Sequence, residues 1–288
     1  MNSEQFNQWC QAIISPSLAV DYSSPPLIMG ILNITPDSFS DGGCYTCPDH
    51  AYEQAMSMIA QGADIIDIGG ESSKPGAVPV SCAEELARVI PVIERIRAVH
   101  DVCISIDTCK AEVMQSAVSA GASMINDITA LTGEGALSMA ASLQVPVCLM
   151  HMQGVPASMQ DNPLYHQDVV DEINLFFQQR ITTCLQAGIA RHQLILDPGF
   201  GFGKLVRHNL QLVQRFAEFQ QHKQPLLLGV SRKSTLGTVL QKPVGERMPG
   251  GVAVSVFAAM QGANIIRTHD VDETRQALQM LHAIVSTT

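Results

Sequence analysis

Charge is scarce in this sequence. Asp, Glu, Lys and Arg make up 15 % of its 288 residues, and the acidic ones prevail, leaving a net charge of −10. There is no run of Lys or Arg, so nothing offers nucleic acid or an anionic membrane a basic patch. Also missing is any stretch of roughly 18 consecutive apolar residues, which argues against a membrane-spanning helix. The opening MNSEQFNQWCQAIISP is polar, carries Glu4 and is broken by Pro16. Lacking a basic start and an apolar core, it does not read as a secretory leader, and the expected compartment is the cytoplasm. A disulfide framework is absent as well: the eight cysteines are scattered through apolar segments such as those around Cys103 and Cys148, as buried free thiols would be. Cys44-Tyr45-Thr46-Cys47, with His50 nearby, is a lone C-x-x-C, whereas a structural zinc needs four ligands.

Nucleotide fingerprints fail too. The glycine-rich stretch ILDPGFGFGK (195–204) has Pro198 where a P-loop needs its first Gly, and Leu205 where it needs a hydroxyl. A dinucleotide turn would fit Gly199 and Gly201 but needs Gly at 204, where Lys204 stands.

What is present is apolar and periodic. Hydrophobic residues reach 46 %, ample for one large core. QGADIID (61–67), AGASMIND (120–127) and QGANIIRTH (261–269) echo one another, and AGIARHQLILD (187–197) is a longer version. Each has a helix-stopping Gly, a short apolar run suited to a buried parallel strand, and a polar end. With LIMGILN (27–33), VCISID (102–107), VPVCLMH (145–151) and PLLLGVS (225–231), eight strands are expected, ending at Asn33, Asp67, Asp107, Asn126, His151, Asp197, Ser231 and Arg267. Amphipathic helices lie between them. SCAEELARVIPVIERI carries a capping box at Ser81 and Glu84, apolar positions 86, 89, 90, 93 and 96, and Pro91, which should kink it. DVDETRQALQMLHAI should start on Asp270 as cap. Eight βα units of about 36 residues each predict an α/β protein, a (β/α)8 TIM barrel, as a single domain over 25–288 with a short N-terminal extension over 1–24. A doubly wound sheet also alternates strand and helix, but the count of eight and the missing dinucleotide turn favour closure.

Chemistry in such a barrel sits at the C-terminal strand ends. There Asp67, Asp107 and Asp197 join Asn33 and Asn126. Any one of them could merely cap the next helix, and DTCKAE after Asp107 looks like a helix start. Together they suit a flat heterocycle rich in N–H donors. Arg232 and Lys233 follow strand seven, and Arg267 and His269 close strand eight, the usual place for a phosphate. A salt bridge from Arg267 to an acid such as Asp270 is the plainer alternative. Long loops at 35–50 and 69–81 are expected to be functional, with Phe39 on the first as part of a lid.

Eight stretches now resemble one family in order: MGILNITPDSFSDGG (29–43), IDIGGESSKPG (66–76), SIDTCKAEV (105–113), INDI (125–128), LMHMQG (149–154), LDPGFGFGK (196–204), SRKS (231–234) and IIRTHD (265–270) are similar to dihydropteroate synthases, over about residues 27 to 285. The resemblance implies a barrel enzyme that uses Mg²⁺ and condenses a dihydropterin-methyl pyrophosphate with p-aminobenzoate. It implies that Asp107, Asn126, Asp197 and Lys233, with Asp67 beside them, hold the pterin. Asn33, Ser73, Arg267 and His269 would take the pyrophosphate, Asn33 also facing Mg²⁺. Phe39, Ser73, Pro75, Phe202, Lys233 and Ser234 would wall the p-aminobenzoate pocket, and Asp107 with Asp41 would stabilise a developing cation. It further implies a homodimer, in which GGVAVSVFAAMQGA (250–263) is either interface or barrel-facing helix, and sulfonamides as competitors. Where many members read Glu-Ser-Thr-Arg-Pro-Gly, this chain has Glu71-Ser72-Ser73-Lys74-Pro75-Gly76, keeping a hydroxyl and a charge but losing a methyl and the planar fork. Lys204 has no implied task, and a structural ion pair is its default reading. Two neighbours of this reading are a methyltetrahydrofolate-binding methyltransferase barrel, which would not need the lid or the anion groups, and a binding-only pterin homologue, which would be expected to lose them.

Overall fold

The computed structural model describes residues 1–13, 24–35 and 47–287. Its strands are β1 (Leu27–Asn33), β2 (Ile65–Gly69), β3 (Cys103–Asp107), β4 (Met124–Asp127), β5 (Val147–Met150), β6 (Leu194–Asp197), β7 (Leu227–Gly229) and β8 (Ile265–Thr268). They pair in parallel in the order β6-β5-β4-β3-β2-β1-β8-β7. A single parallel bridge between Leu196 and Leu226 joins the two outer strands, and the Leu196 N–H reaches the Pro225 carbonyl at 2.9 Å. The sheet is thus a barrel closed along a short seam. The strands read as nearly continuous apolar runs because both their faces are buried.

Helices clothe the barrel. α1 (Ser3–Ala12) precedes it; α2 (Cys47–Ala60), α3 (Cys82–Arg97), α4 (Ala111–Ala120), α5 (Ala136–Leu143), α6 (Val169–Gln186) and α7 (Val206–Gln214) follow the first six strands, α8 (Ser234–Leu240) and α9 (Met248–Met260) the seventh, and α10 (Val271–Val285) the eighth. The main core lies between helices and strands. A second, smaller core fills the barrel's lower half with inward side chains such as Met29, Ile65, Cys103 and Ile265, and Phe6 and Cys10 of α1 plug it from below. This fixes the opposite end as the open mouth. None of the described helices is long and apolar enough to cross a membrane.

Local expectations hold in part. α3 has its capping box, Ser81 accepting from the Glu84 N–H and Glu84 from the Ser81 N–H, and it runs unbroken through Pro91. Its buried line is 85, 89, 92, 93 and 96, so Glu85 is inside, against the expected stripe, while Leu86 and Ile90 are partly buried. Asn33, Asp107 and Asp197 end their strands as expected, but β2 continues to Gly69, β4 to Asp127 and β8 to Thr268, while β5 and β7 stop at Met150 and Gly229. A polar side chain inside a barrel needs a partner for itself; it does not stop the backbone ladder, so Asp67 sits two residues below the rim. Asp270 stands at the start of α10 but does not cap it with its side chain, because Arg232 draws the carboxylate away at 2.6 Å. Asp107 caps nothing either: Lys110 is the N-cap residue of α4. α9 buries Gly251, Ser255, Ala258 and Ala259 and turns Phe257 outward, so the 250–263 stretch serves packing on one face only.

Candidate active site

Asn33, Gly69, Asp107 and Asn126 are register partners across four adjacent strands. They form one rung of the mouth, and Gly69 leaves it open: a Cβ there would stand 3.4 Å from that of Asp107 and 3.7 Å from the Asn33 amide oxygen. One layer deeper, Asp67 is fully buried and accepts on one oxygen from Arg267 Nε at 2.6 Å and from Asn126 Nδ2 at 3.0 Å. Its other oxygen is buried without a hydrogen-bond partner among the described residues. Arg267 then reaches across with Nη2 to Asp107 at 2.8 Å. Gly229, beside it on β7, has no side chain to displace the arginine's stem, which lies within 3.6 Å of where a Cβ would be. Arg267 therefore pairs with Asp67 and Asp107, and it is Arg232 that pairs with Asp270.

The charges are mutually perturbed. Burial, and next the Asp67 carboxylate, push Asp107 up to about 7, against the pull of Arg267. Burial also raises Asp197, which Lys233 and the Gly199 N–H, bonded to its Oδ1 at 2.7 Å, oppose. Lys233 is lowered to about 8 by burial, with Asp197 favouring its charge. Its ammonium donates to the Phe200 carbonyl at 2.6 Å and lies 4.5 Å from the centre of the Phe202 ring. Burial, then Arg232 and Arg267, press His269 down to about 3, and its Nδ1 is 3.0 Å from Ser231 Oγ. The same hydroxyl lies 3.4 Å from the Asp270 carboxylate.

Ser73 lines a recess beside Asp107, Thr108 and Pro156, while Pro75 and Ser234 are exposed on the rim. The 69–81 loop is tied down by a bond from the Gly76 N–H to the Pro156 carbonyl at 3.2 Å and by Lys110, which pairs with both Glu71 and the buried Glu85. Asp41, Phe39 and Cys44 fall outside the described residues. Lys204, expected in an ion pair, has none among the described residues: its buried ammonium is held by carbonyls and by His151.

Two elements escape the sequence reading. The Lys110–Glu71–Glu85 cluster could have been found from Glu85, which lies four residues before Val89 and so on the buried line of α3. Asp127, next to Asn126, is a turn-maker and not a ligand group, accepting from the Thr129 N–H and hydroxyl at 2.7 Å each and from the Leu131 N–H at 2.9 Å. Alternation along β4 separates the two: Asn126 faces the lumen and Asp127 the helices.

Fold and mouth together define a (β/α)8 barrel protein whose mouth gathers acidic, amide and cationic groups, and residues 29–269 match the family model described as pterin binding enzyme. The chain is 53 % identical over 263 residues to the dihydropteroate synthase of Escherichia coli (strain K12), covering 91 % of this chain and 93 % of that one. The crystal structure of Yersinia pestis dihydropteroate synthase with a sulfonamide drug complex superposes with a TM-score of 0.88 at 51 % identity, covering 95 % of this chain and 98 % of that one. Dihydropteroate synthase from Xanthomonas albilineans in complex with 7,8-dihydropteroate gives 0.85 at 41 %, over 93 % and 97 %. The chain belongs to the pterin binding enzymes and, among them, to the dihydropteroate synthases, transferases of folate biosynthesis.

Proposed function

We propose that the mouth joins 6-hydroxymethyl-7,8-dihydropterin pyrophosphate to p-aminobenzoate by a dissociative displacement, releasing pyrophosphate and 7,8-dihydropteroate. The observation that carries this is Arg267 spanning Asp67 and Asp107, which puts an anion-binding fork beside acidic ring-binding groups. Asp197 accepts from the amino-pyrimidine edge, Asn126 and Asp107 meet the ring's other polar atoms, and Lys233 donates to its oxygen. Asp67 acts from beneath, holding Asn126 and Arg267. Arg267 uses Nε and Nη2 on the carboxylates, and its remaining N–H groups face pyrophosphate with Asn33, Ser73 and the His269 ring.

The C–O bond to pyrophosphate breaks first, its electron pair leaving with the oxygen. The methylene cation is delocalised into the pterin and stabilised by ionised Asp107, with Asp41 of the first loop assisting. The aniline nitrogen, a weak nucleophile, then forms the C–N bond and loses a proton. Phe39, Ser73, Pro75, Phe202, Lys233 and Ser234 shape the p-aminobenzoate pocket, and loop closure keeps water from the cation. Asn33, whose amide oxygen stands at the mouth beside Gly69, would hold Mg²⁺ as an oxygen ligand, with substrate oxygens available for its remaining positions. When bound it neutralises charge on the leaving pyrophosphate.

A binding-only homologue is disfavoured by the presence of the anion groups Arg267, His269 and Lys233. Sulfonamides would compete for the Ser73–Phe202 pocket, and the Yersinia protein's sulfonamide complex supports this. Phe257 of α9 and Met280 and Ile284 of the adjoining α10 leave apolar surface that suits a homodimer. Calorimetric titration of p-aminobenzoate tests the order of binding: heat should appear only with Mg²⁺ and pyrophosphate present, and equal affinity without them would refute the pyrophosphate-first sequence.

A further inference from the structure

Lys204 is the one cation of the 196–204 motif that this reaction does not use, and it is 2 % exposed. Burial presses Lys204 well below the usual lysine range, against the pull of Asp197, and its charged form has three hydrogens for three short acceptors: the Gly199 carbonyl at 2.9 Å, the Phe202 carbonyl at 3.1 Å and His151 Nδ1 at 2.9 Å, with the His151 carbonyl further off at 3.4 Å. Burial, and then the charge of Lys204, push the His151 pKa far down, so its ring is neutral and can accept. Around this centre the loop is turned back on itself by three left-handed glycines, Gly199, Gly201 and Gly203, at φ 70°, 84° and 63°. Gly199 and Gly203 lie so close to the 151–153 backbone that a Cβ would come 1.8 Å from the His151 oxygen and 2.4 Å from that of Gln153.

The loop's other carbonyls are also held. Phe200 accepts from Lys233 at 2.6 Å, Gly201 from Gln160, Gly203 from the Tyr165 hydroxyl at 3.0 Å and Lys204 from Asn209 at 3.3 Å. Among the loop's residues, Phe202 brings its ring to the site, whereas the Phe200 carbonyl is held by Lys233 and not by Lys204. The Phe202 carbonyl has Lys204 as its bond, so without the ammonium it would be a buried acceptor seeking a donor elsewhere, and the ring would move with it.

We propose that Lys204 is a positioning residue for the second substrate: its ammonium holds the Phe202 carbonyl, and through it the Phe202 ring that walls the pocket taking p-aminobenzoate. The inference rests on the assignment of Phe202 to that pocket. Replacing a merely stabilising lysine would lower the unfolding midpoint and leave the relative affinities of the two substrates alone. A positioning lysine separates them.

The test is steady-state kinetics of Lys204→Met and, in parallel, His151→Leu, which removes one acceptor of the ammonium and leaves the lysine in place. In Lys204→Met the KM for p-aminobenzoate should rise by about 10- to 100-fold, the scale of a misplacement near 1 Å, while the KM for the pterin pyrophosphate stays near the wild-type value. His151→Leu should show the same split, smaller, and decides the matter if Lys204→Met does not fold. Equal changes in both KM values, or a lower unfolding midpoint with both unchanged, would overturn the proposal. A wild-type protein that makes no dihydropteroate would sink the pocket assignment itself, an outcome distinct from an active wild type whose variants show no split.

Discussion

Replacing Asp67 by Asn removes one charge from the centre of the mouth and almost no volume. In the native protein one Asp67 oxygen takes both Arg267 Nε and Asn126 Nδ2, and the residue is wholly buried. An asparagine oxygen can replace that acceptor, but its charge assistance is lost, at a cost of about 1.5–3 kcal/mol. The new amide nitrogen then occupies the place of the oxygen that has no described partner, a buried donor costing about 1–3 kcal/mol more. Arg267 keeps its bond to Asp107 at 2.8 Å, which limits the damage, so a loss of about 3 kcal/mol is expected in urea denaturation. The loss should depend on pH in a stated direction. Asp107 holds its proton more tightly folded than unfolded, so its stabilising contribution is full below about pH 4 and fades as pH rises through about 7. Without the Asp67 charge that fading shrinks, and the variant's deficit should be smaller at pH 8 than at pH 5. With Asp107 at about 7, kcat/KM of the wild type should fall as pH drops through that value, and the same relief should shift this acid limb to lower pH. A stability change within about 0.5 kcal/mol, or an acid limb that moves upward, would refute this account of the mouth.

Further consequences follow from the same structure. Lys233 is lowered to about 8, so kcat/KM should decline above that pH, and Lys233→Arg, which stays charged, should lose the alkaline limb while lowering the rate. Phe6→Ala empties the plug beneath the barrel and should cost about 3–5 kcal/mol in chemical denaturation with both KM values unchanged. Gly199→Ala puts a Cβ 1.8 Å from the His151 oxygen at a φ of 70°, so the loop must move, and activity should fall by about 10²-fold or more. Lys110→Met strips Glu71 and Glu85 of their shared cation and should loosen the 69–81 loop, seen as faster amide exchange there and weaker sulfonamide binding.

How far the sequence carried the fold is clear from particular residues. Parallel strands buried on both faces are short apolar runs, and the Gly-Ala–apolar–polar repeat exposed them because each lies after a helix stop. The capping box of α3 was legible because its two side chains are three residues apart. Partners set by closure of the barrel were not. Arg267 meets Asp67 and Asp107 from positions 200 and 160 residues away, and nothing local distinguishes those acids from Asp270. For the same reason Asp270 reads as a cap, when Arg232 claims it, and Glu85 falls outside the expected apolar stripe, when Lys110 holds it inside. Lys204 could not be read at all, since its acceptors are backbone carbonyls, which carry no signature of residue type.

The central claim is that this mouth performs the condensation and does not merely hold a pterin. Purified protein with Mg²⁺, 6-hydroxymethyl-7,8-dihydropterin pyrophosphate and p-aminobenzoate should release pyrophosphate and 7,8-dihydropteroate in equal amounts, and Lys233→Ala should abolish both together. Tight binding of the pterin with neither product formed would contradict it.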